Sequence, residues 1–247
     1  MRRRFRRTHE EVGVEMQTQD KRSHTRRKVF AITAGAAALG LGVTATVAAW
    51  TDTEWVFGGD GAGGPGVGTS TFSVQQNTVA PFGAGTWTDE ADNPGGEIVF
   101  ENTGIDATAL TPGDSVYAQV ALRTSTTSVA GDVDLQPAVP AAGIAADDPA
   151  GLLFAALDVR VVTDDAAFAC DASAFSGAPG APVLIADGPL ATTGGSATQA
   201  LAAAAGSVQY YCFEVTLPDP VPLAGGTTID DYMGLSIAPA WEFQAES

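Results

Sequence analysis

The sequence predicts an all-β protein, an antiparallel β-sandwich of the jelly-roll or a related Greek-key type, in residues 69–247. Apolar residues recur there at every second position, which is the period of a half-buried strand. Gly, Pro and Asp lie between these segments, where they favour turns. Many short strands separated by such turns are typical of two packed antiparallel sheets.

The clearest predicted strand is 115–123, which follows the turn of residues 111–114. Val116 and Val120 lie on one of its faces, and Arg123 lies on the other. The same alternation predicts further strands at 129–136, 153–161, 210–217 and 241–246, and shorter ones at 71–75, 97–101 and 183–186. In the strand predicted at 153–161, every second residue from Leu153 to Val161 is expected to face the core. Phe154 and Val162 lie on the opposite face and are apolar, which indicates that this outer face is partly covered.

One segment, 197–205, is predicted to be a short helix. Its Ala-rich composition favours a helix, and Gly194, Gly195 and Gly206 lie on either side of it as stop signals. We therefore expect at most one short helix in the domain.

Cys170 and Cys212 are the two cysteines of the sequence, and we predict that they form a disulfide bond. Both follow an export signal, and exported proteins enter an oxidising compartment. Their spacing differs from Cys-x-x-Cys, which argues against a redox-active thiol pair. Cys212 alternates with the inward side chains of 210–217, so the bridge is expected on the surface of the sheet rather than in the core.

The first 48 residues have the order of a signal peptide, and we expect them to form an N-terminal signal helix. Residues 1–28 are basic and hold ten of the 12 Lys and Arg residues, whereas residues 29–48 carry no charge and end in small residues. The apolar part is mostly Ala, Gly and Thr, so its tendency to remain in lipid is modest. Cleavage is therefore favoured over a retained anchor, and we expect no stable membrane insertion after cleavage.

The expected cleavage region is Thr46, Val47, Ala48 and Ala49, where two overlapping sites fit the side chains that a signal peptidase reads. The mature chain then begins at Ala49 or Trp50. The paired arginines before the apolar part also fit a twin-arginine signal loosely, so the general secretory route and the twin-arginine route both stay open.

The mature chain is strongly acidic. Of the 29 Asp and Glu residues four lie in the leader, so 25 remain against Arg123 and Arg160, a net charge of −23. Such a charge repels nucleic acid and anionic lipid, and neither is an expected partner. Both histidines also lie in the leader, so the mature chain cannot form a histidine-based zinc site, a serine triad or a Cys-His pair.

Residues 49–68 connect the leader with the domain. The Gly-rich second half of this segment predicts a flexible linker. Trp50, Trp55, Val56 and Phe57 precede it, and they are expected to place exposed apolar side chains on a tether, which a monomer usually avoids.

Several pieces of the sequence resemble parts of a known group of exported proteins. They are residues 26–28, 40–46 and 48–55 around the junction, and 110–115 and 241–245 in the domain. The first three resemble the leader and junction of proteins with a SipW-dependent signal peptide, the group that contains TasA and camelysin. The last two resemble internal and terminal strands of the same group.

This resemblance implies a jelly-roll domain, trimming by a dedicated signal peptidase, and a place in a biofilm-type extracellular matrix or on the cell surface. TasA-like proteins assemble into fibres by lending an N-terminal strand to the next subunit, whose sheet edge it extends. Applied here, the resemblance makes Trp50, Trp55, Val56 and Phe57 the candidate donor segment and a second copy of the chain its partner. The alternatives are that this segment folds back on its own domain or serves signal recognition.

Camelysin-like proteins are associated with proteolysis, so a protease is the third and least favoured interpretation. Without His or thiolate, the mature chain offers carboxylates, which suit Ca²⁺ better than zinc. The acid pairs at 147–148, 164–165 and 230–231 and the loop 89–93 lack the spacing of a calcium loop and are interpreted as turn residues. We expect no catalytic residue, no metal site and no cofactor, with Ca²⁺ binding as a minor alternative.

The sequence thus predicts a secreted or cell-surface structural protein that self-associates into matrix fibres through N-terminal strand exchange. The alternative is a monomeric surface module that binds a polysaccharide or a protein. Tyr117, Tyr210 and Trp87 are its candidate ligand contacts.

Overall fold

The computed structural model describes residues 54–56, 58–82 and 86–247. The chain divides into two compact units, residues 1–57 and 58–247, and the architecture given below is that of the second unit. The predicted signal helix and the cleavage residues 46–49 lie outside the described residues. No helix of the described part combines the length and the apolar composition of a membrane span.

Short strands account for most of the regular structure in this unit. The strands are β1 (Val74–Asn77), β2 (Ser115–Thr124), β3 (Gly131–Leu135), β4 (Val139–Pro140), β5 (Asp158–Asp164), β6 (Val183–Pro189), β7 (Gln199–Leu201), β8 (Gln209–Thr216), β9 (Pro239–Ala240) and β10 (Phe243–Glu246). The helix α1 spans Leu152–Ala156, and two 3-10 turns span Ala172–Phe175 and Ile229–Tyr232.

The described strands form three antiparallel sheets. The larger sheet has the order β1-β2-β8-β5-β6, the smaller sheet has the order β10-β3-β7, and β4 and β9 form a separate pair. The chain crosses between the two main sheets from β2 to β3 and again from β7 to β8. This arrangement confirms the predicted all-β sandwich, with the crossed strand order that Greek-key folds share.

The core lies between the larger and the smaller sheet. Strand β8 is the centre of the larger sheet and pairs with β2 on one side and β5 on the other. Its side chains Tyr211, Phe213 and Val215 are buried. Phe243 of β10 packs on Tyr211 with ring centroids 4.7 Å apart, which holds the two sheets face to face.

The predicted strands at 115–123, 183–186, 210–217 and 241–246 are confirmed within a few residues. The prediction at 97–101 is wrong, because only Glu101 pairs, through an isolated bridge to Tyr117. The chain reverses directly afterwards, so no ladder extends. The predictions at 71–75 and 129–136 start too early, since β1 begins at Val74 and β3 at Gly131.

The first half of the strand predicted at 153–161 is the helix α1 instead. Asp148 starts this helix, because its carboxylate accepts hydrogen bonds from the backbone N–H groups of Leu152 at 2.7 Å and Phe154 at 2.9 Å. The strand β5 begins only after it, at Asp158. The expected cover on its outer face is confirmed at Val162, which is buried there, but not at Phe154, which lies in α1 and packs against the main core.

The helix predicted at 197–205 is wrong. Gln199 and Leu201 are buried while Ala200 between them is exposed, and the three residues pair with β3. Ala204 and Ala205 then adopt left-handed φ angles of 55° and 57°, which an α-helix excludes. Tertiary pairing thus outweighs the helix propensity of alanine.

Cys170 and Cys212 form the predicted disulfide bond, with Cα atoms 5.4 Å apart. The bridge lies outside the main core, on the opposite face of the sheet, as predicted, but that face is covered and Cys212 is fully buried. It belongs to a second apolar cluster with Val162 and Phe175, on the outer face of the larger sheet. The 3-10 turn Ala172–Phe175 covers this face, so the sheet is buried on both sides there.

Replacing both cysteines, Cys170→Ala with Cys212→Ala, is expected to lower the free energy of unfolding by about 4 kcal/mol. The bond closes a loop with a sequence separation of 42, and its loss increases the entropy of the unfolded chain. Urea denaturation followed by tryptophan fluorescence measures the change. A loss below about 1 kcal/mol would contradict this expectation. It would mean that the apolar cluster around Cys212 holds the chain near Cys170 in place without the disulfide bond.

Candidate functional site

The smaller sheet is too narrow to cover the larger one, since three strands lie opposite five. Its edge strand β10 lies over β8, where Phe243 contacts Tyr211 and lies 6.4 Å from Phe213 between ring centroids. At its other edge, β7 lies towards β6, and the Ser196 N–H donates to the Ile185 carbonyl at 2.7 Å. The inner face of β2 is therefore left without a facing strand.

Irregular chain occupies the place of that missing strand. Ile98, Phe100, Ile105 and Leu110 are partly buried and pack against the main core. Three hydrogen bonds tie this coil to β2. The backbones of Glu101 and Tyr117 exchange two, at 2.8 and 3.0 Å, and Asn102 Nδ2 donates one to the Ser115 carbonyl at 2.7 Å. We refer to residues 97–110 as the covering coil.

A deep groove remains between the covering coil and the sheets, with a volume of about 1590 Å³. Its floor is apolar and comes from the inner faces of β2 and β8, and Trp241 and β10 form one wall. The floor residues include Val116, Val120, Leu122, Phe213 and Val215.

The rim of the groove combines exposed apolar and acidic side chains. The exposed apolar residues are Val99, Val139, Ile144, Ile229 and Met233. The acids on the rim include Asp89, Glu90, Asp92 and Glu97. An apolar interior that continues into exposed apolar rim residues is typical of a surface that receives another chain or a ligand.

One edge of β10 is open along this groove. The Gln136 N–H donates to the Glu242 carbonyl at 2.9 Å, so residues 242, 244 and 246 are the ones that exchange hydrogen bonds with β3. Phe243 and Ala245 alternate with them, and their backbone N–H and C=O groups point away from β3. Within the described residues no further strand pairs with this edge. It can therefore accept an additional strand.

The predicted donor residues fall only partly within the described chain. Trp55 and Val56 are exposed, and neither belongs to a strand. Trp50 and Phe57 lie outside the described residues. The Gly-rich linker that follows closes on itself, because the Gly66 N–H donates to the Gly58 carbonyl at 3.0 Å.

A polar cluster lies on the outer face of the larger sheet, next to the disulfide. The buried Glu214 carboxylate accepts hydrogen bonds from the Tyr117 hydroxyl and from Arg160 Nη1, each at 3.0 Å. The Arg160 guanidinium also lies over the Phe175 ring, 4.9 Å from its centroid. Burial, together with the hydrogen bond to Glu214 and its negative charge, raises the pKa of Tyr117 to about 12. The groups satisfy one another, so this cluster stabilises the sheet.

The three candidate ligand contacts are engaged in packing. Tyr117 is buried in the polar cluster. Trp87 is half-buried beneath the Arg123 guanidinium, which lies 4.1 Å from its ring centroid. Tyr210 packs on Phe82 with centroids 5.5 Å apart.

The acid pairs act in turns, as their interpretation predicts. Asp148 starts α1, Asp164 accepts a hydrogen bond from the Ala166 N–H, and Asp231 accepts one from the Thr228 N–H. The bonds from Thr228 lower the pKa of Asp231. No group of three His, Cys, Asp or Glu residues in the described ranges is arranged to hold a metal ion.

The groove was not foreseen from the sequence, although β10 was predicted as the last strand. Alternation shows which face of a strand is buried, but it does not show how many strands lie in each sheet. The sequence offers one signal for the groove. Predicted strands such as 115–123 present a long row of core-facing apolar residues, whereas the terminal strand that would cover them is short.

Searches with this chain against protein-family models and against curated protein sequences return no match.

The raised pKa of Tyr117 predicts a difference in alkaline stability between the unsubstituted chain and Tyr117→Phe. Because the pKa in the folded state exceeds the ordinary value of 10.0, the stabilisation is complete below pH 10 and disappears as the pH rises through about 12. The unsubstituted chain should therefore lose more free energy of unfolding over this range than Tyr117→Phe, in urea denaturation at each pH. Identical losses in the two chains would contradict the assigned environment.

Proposed function

We propose that this chain is an exported structural subunit that self-associates into extracellular fibres, each copy adding its N-terminal segment to the next as a strand. The observation that supports this most is the open edge of β10 beside an apolar groove, at the place where the smaller sheet lacks a strand. Strand addition satisfies the free backbone groups of the edge and fills the groove with side chains.

The candidate donor fits these requirements in length and pattern. Residues 50–57, fully extended, reach about 26 Å, which exceeds the length of the four-residue strand β10. Trp55 and Phe57 share one face of such a strand, whereas Asp52 and Glu54 share the other face with Trp50 and Val56. The first pair supplies apolar side chains to the groove, and the second keeps its carboxylates in solvent.

Several features support an extracellular location. The leader has the order of a signal peptide, and the disulfide between Cys170 and Cys212 suits an oxidising compartment. We propose that the mature protein is secreted into a matrix or held at the cell surface after trimming by a signal peptidase. We propose no catalytic activity and no required cofactor.

Substitution of Ala245 by proline tests the groove edge directly. Ala245→Pro removes a backbone N–H that points to the open edge, and it leaves the hydrogen bonds between β10 and β3 in place. We expect a folded monomer with fibre formation reduced at least tenfold, measured by sedimentation and electron microscopy of the chain that begins at Trp50. Ala245→Val is the matched control, because it keeps the N–H and favours a strand.

Deletion of residues 50–57 completes the test from the donor side. The chain that lacks residues 50–57 should remain monomeric on its own. It should still be incorporated at the ends of fibres of the unsubstituted chain, because its own groove is intact. Unchanged polymerisation of either the deleted chain or Ala245→Pro would eliminate strand exchange.

The charge of the mature chain predicts an ionic-strength dependence. Each copy carries −23 and the groove rim is acidic, so like charges repel as two copies approach. Raising salt from about 0.01 to 0.15 M shortens the screening length from about 30 to 8 Å and should increase the polymer fraction, with a larger effect for Ca²⁺. Sedimentation with and without a chelator measures this. Assembly that is indifferent to salt would contradict the electrostatic argument.

A second candidate function is a monomeric surface module that binds a polysaccharide or a protein. The half-buried Trp87, stacked with Arg123 on the outer face of the larger sheet, favours it. Such a module predicts a persistent monomer in every salt condition and ligand binding that survives deletion of residues 50–57.

A further inference from the structure

One polar group in the wall of the groove has no partner. The indole N–H of Trp241 is buried without a hydrogen bond, and no other buried side-chain nitrogen or oxygen in the described residues shares this condition. An unpaired buried donor costs about 1–3 kcal/mol. Folded proteins keep few such groups. Trp241 lines the groove, but its N–H is shielded from solvent, so a ligand that pairs with it has to displace a neighbouring side chain first.

The neighbours of Trp241 explain why the chain itself provides no acceptor. Its ring packs on Phe213, with centroids 4.6 Å apart, and lies 6.2 Å from Phe100. Phe213 belongs to the apolar floor, and Phe100 belongs to the covering coil. Both neighbours present aromatic carbon rather than oxygen to the indole.

The position of Trp241 along the chain places it beside the open edge. It comes two residues before Phe243, the first residue of β10. A strand that pairs with β10 and continues past its beginning therefore runs next to Trp241. Phe100 lies on the covering coil in the same space, so that coil has to be displaced when the strand enters.

We propose that Trp241 is the polar anchor of the groove, and that its indole N–H donates a hydrogen bond to a backbone carbonyl of residues 50–57 of a second copy. This inference rests on the proposed function and specifies the chemistry of its site. An extended main chain carries a carbonyl at every residue, whereas a purely apolar ligand such as an acyl chain leaves the indole unpaired. The anchor therefore disfavours a purely apolar ligand, and among polar ligands a polypeptide strand is the one that also pairs with the open backbone edge of β10.

The test uses the mature chain with Trp55→Ser and Phe57→Ser, which weaken its own donor segment and keep it monomeric. The chain is labelled with ¹⁵N at the indole nitrogens, and an unlabelled synthetic peptide of residues 50–57 is added. Trp50, Trp87 and Trp241 give the three remaining indole signals. Trp241→Phe assigns the third signal.

We expect the peptide to bind and to move the Trp241 indole proton downfield, as a new hydrogen bond does. Trp241→Phe should weaken peptide binding about tenfold, the equivalent of one hydrogen bond, and Trp87→Phe should leave it unchanged as the matched control.

Peptide binding that leaves the Trp241 indole signal unmoved would overturn the anchor and leave strand exchange standing. Absence of peptide binding, together with absence of polymer from the unsubstituted chain, would overturn both. The indole signal is read in the chain that retains Trp241, so a folding defect of Trp241→Phe does not obscure the result.

Discussion

The packing of β10 on the central strand β8 determines how the sandwich is arranged. Tyr211 and Phe213 form an aromatic surface on β8, and Phe243 and Trp241 lie on it. This contact fixes the smaller sheet over one side of the larger one. Because the smaller sheet has only three strands, the inner face of β2 extends beyond it, and both the groove and the covering coil are consequences of that offset.

An open strand edge beside an apolar groove is a hazard for a monomer, since it invites uncontrolled association. The acidic rim and the net charge of −23 on residues 49–247 oppose such contacts between copies at long range. The covering coil opposes them at short range, because its apolar side chains occupy part of the groove. In the proposed function, these features restrict association to a strand that both pairs with β10 and displaces the coil.

The sequence predicted those parts of the fold in which local pattern and burial agree. The strands β2, β8 and β10 alternate apolar and polar residues, and their faces follow from that period. The prediction failed at 197–205, where pairing with β3 overrides alanine propensity, and at 153–156, where the Asp148 carboxylate starts a helix inside an alternating row. The groove depends on the number of strands in each sheet, and the unpaired Trp241 depends on its neighbours across the core. Neither property can be read from neighbouring residues in the sequence. Of the candidate site, the sequence therefore predicted only the aromatic donor segment and the terminal strand.

The placement of the two arginines that follow Lys28 determines how the domain meets proteases and amine-directed reagents. Arg123 lies in β2 and is stacked on Trp87, and Arg160 lies in β5 and is bound to Glu214. No lysine follows Lys28 in the sequence. Trypsin-like proteases require Lys or Arg in an accessible, extended segment, so cleavage of this domain depends on unfolding of a paired strand. Amine-directed cross-linkers and dyes likewise find no lysine side chain in the domain, which makes it resistant to two common routes of digestion and labelling.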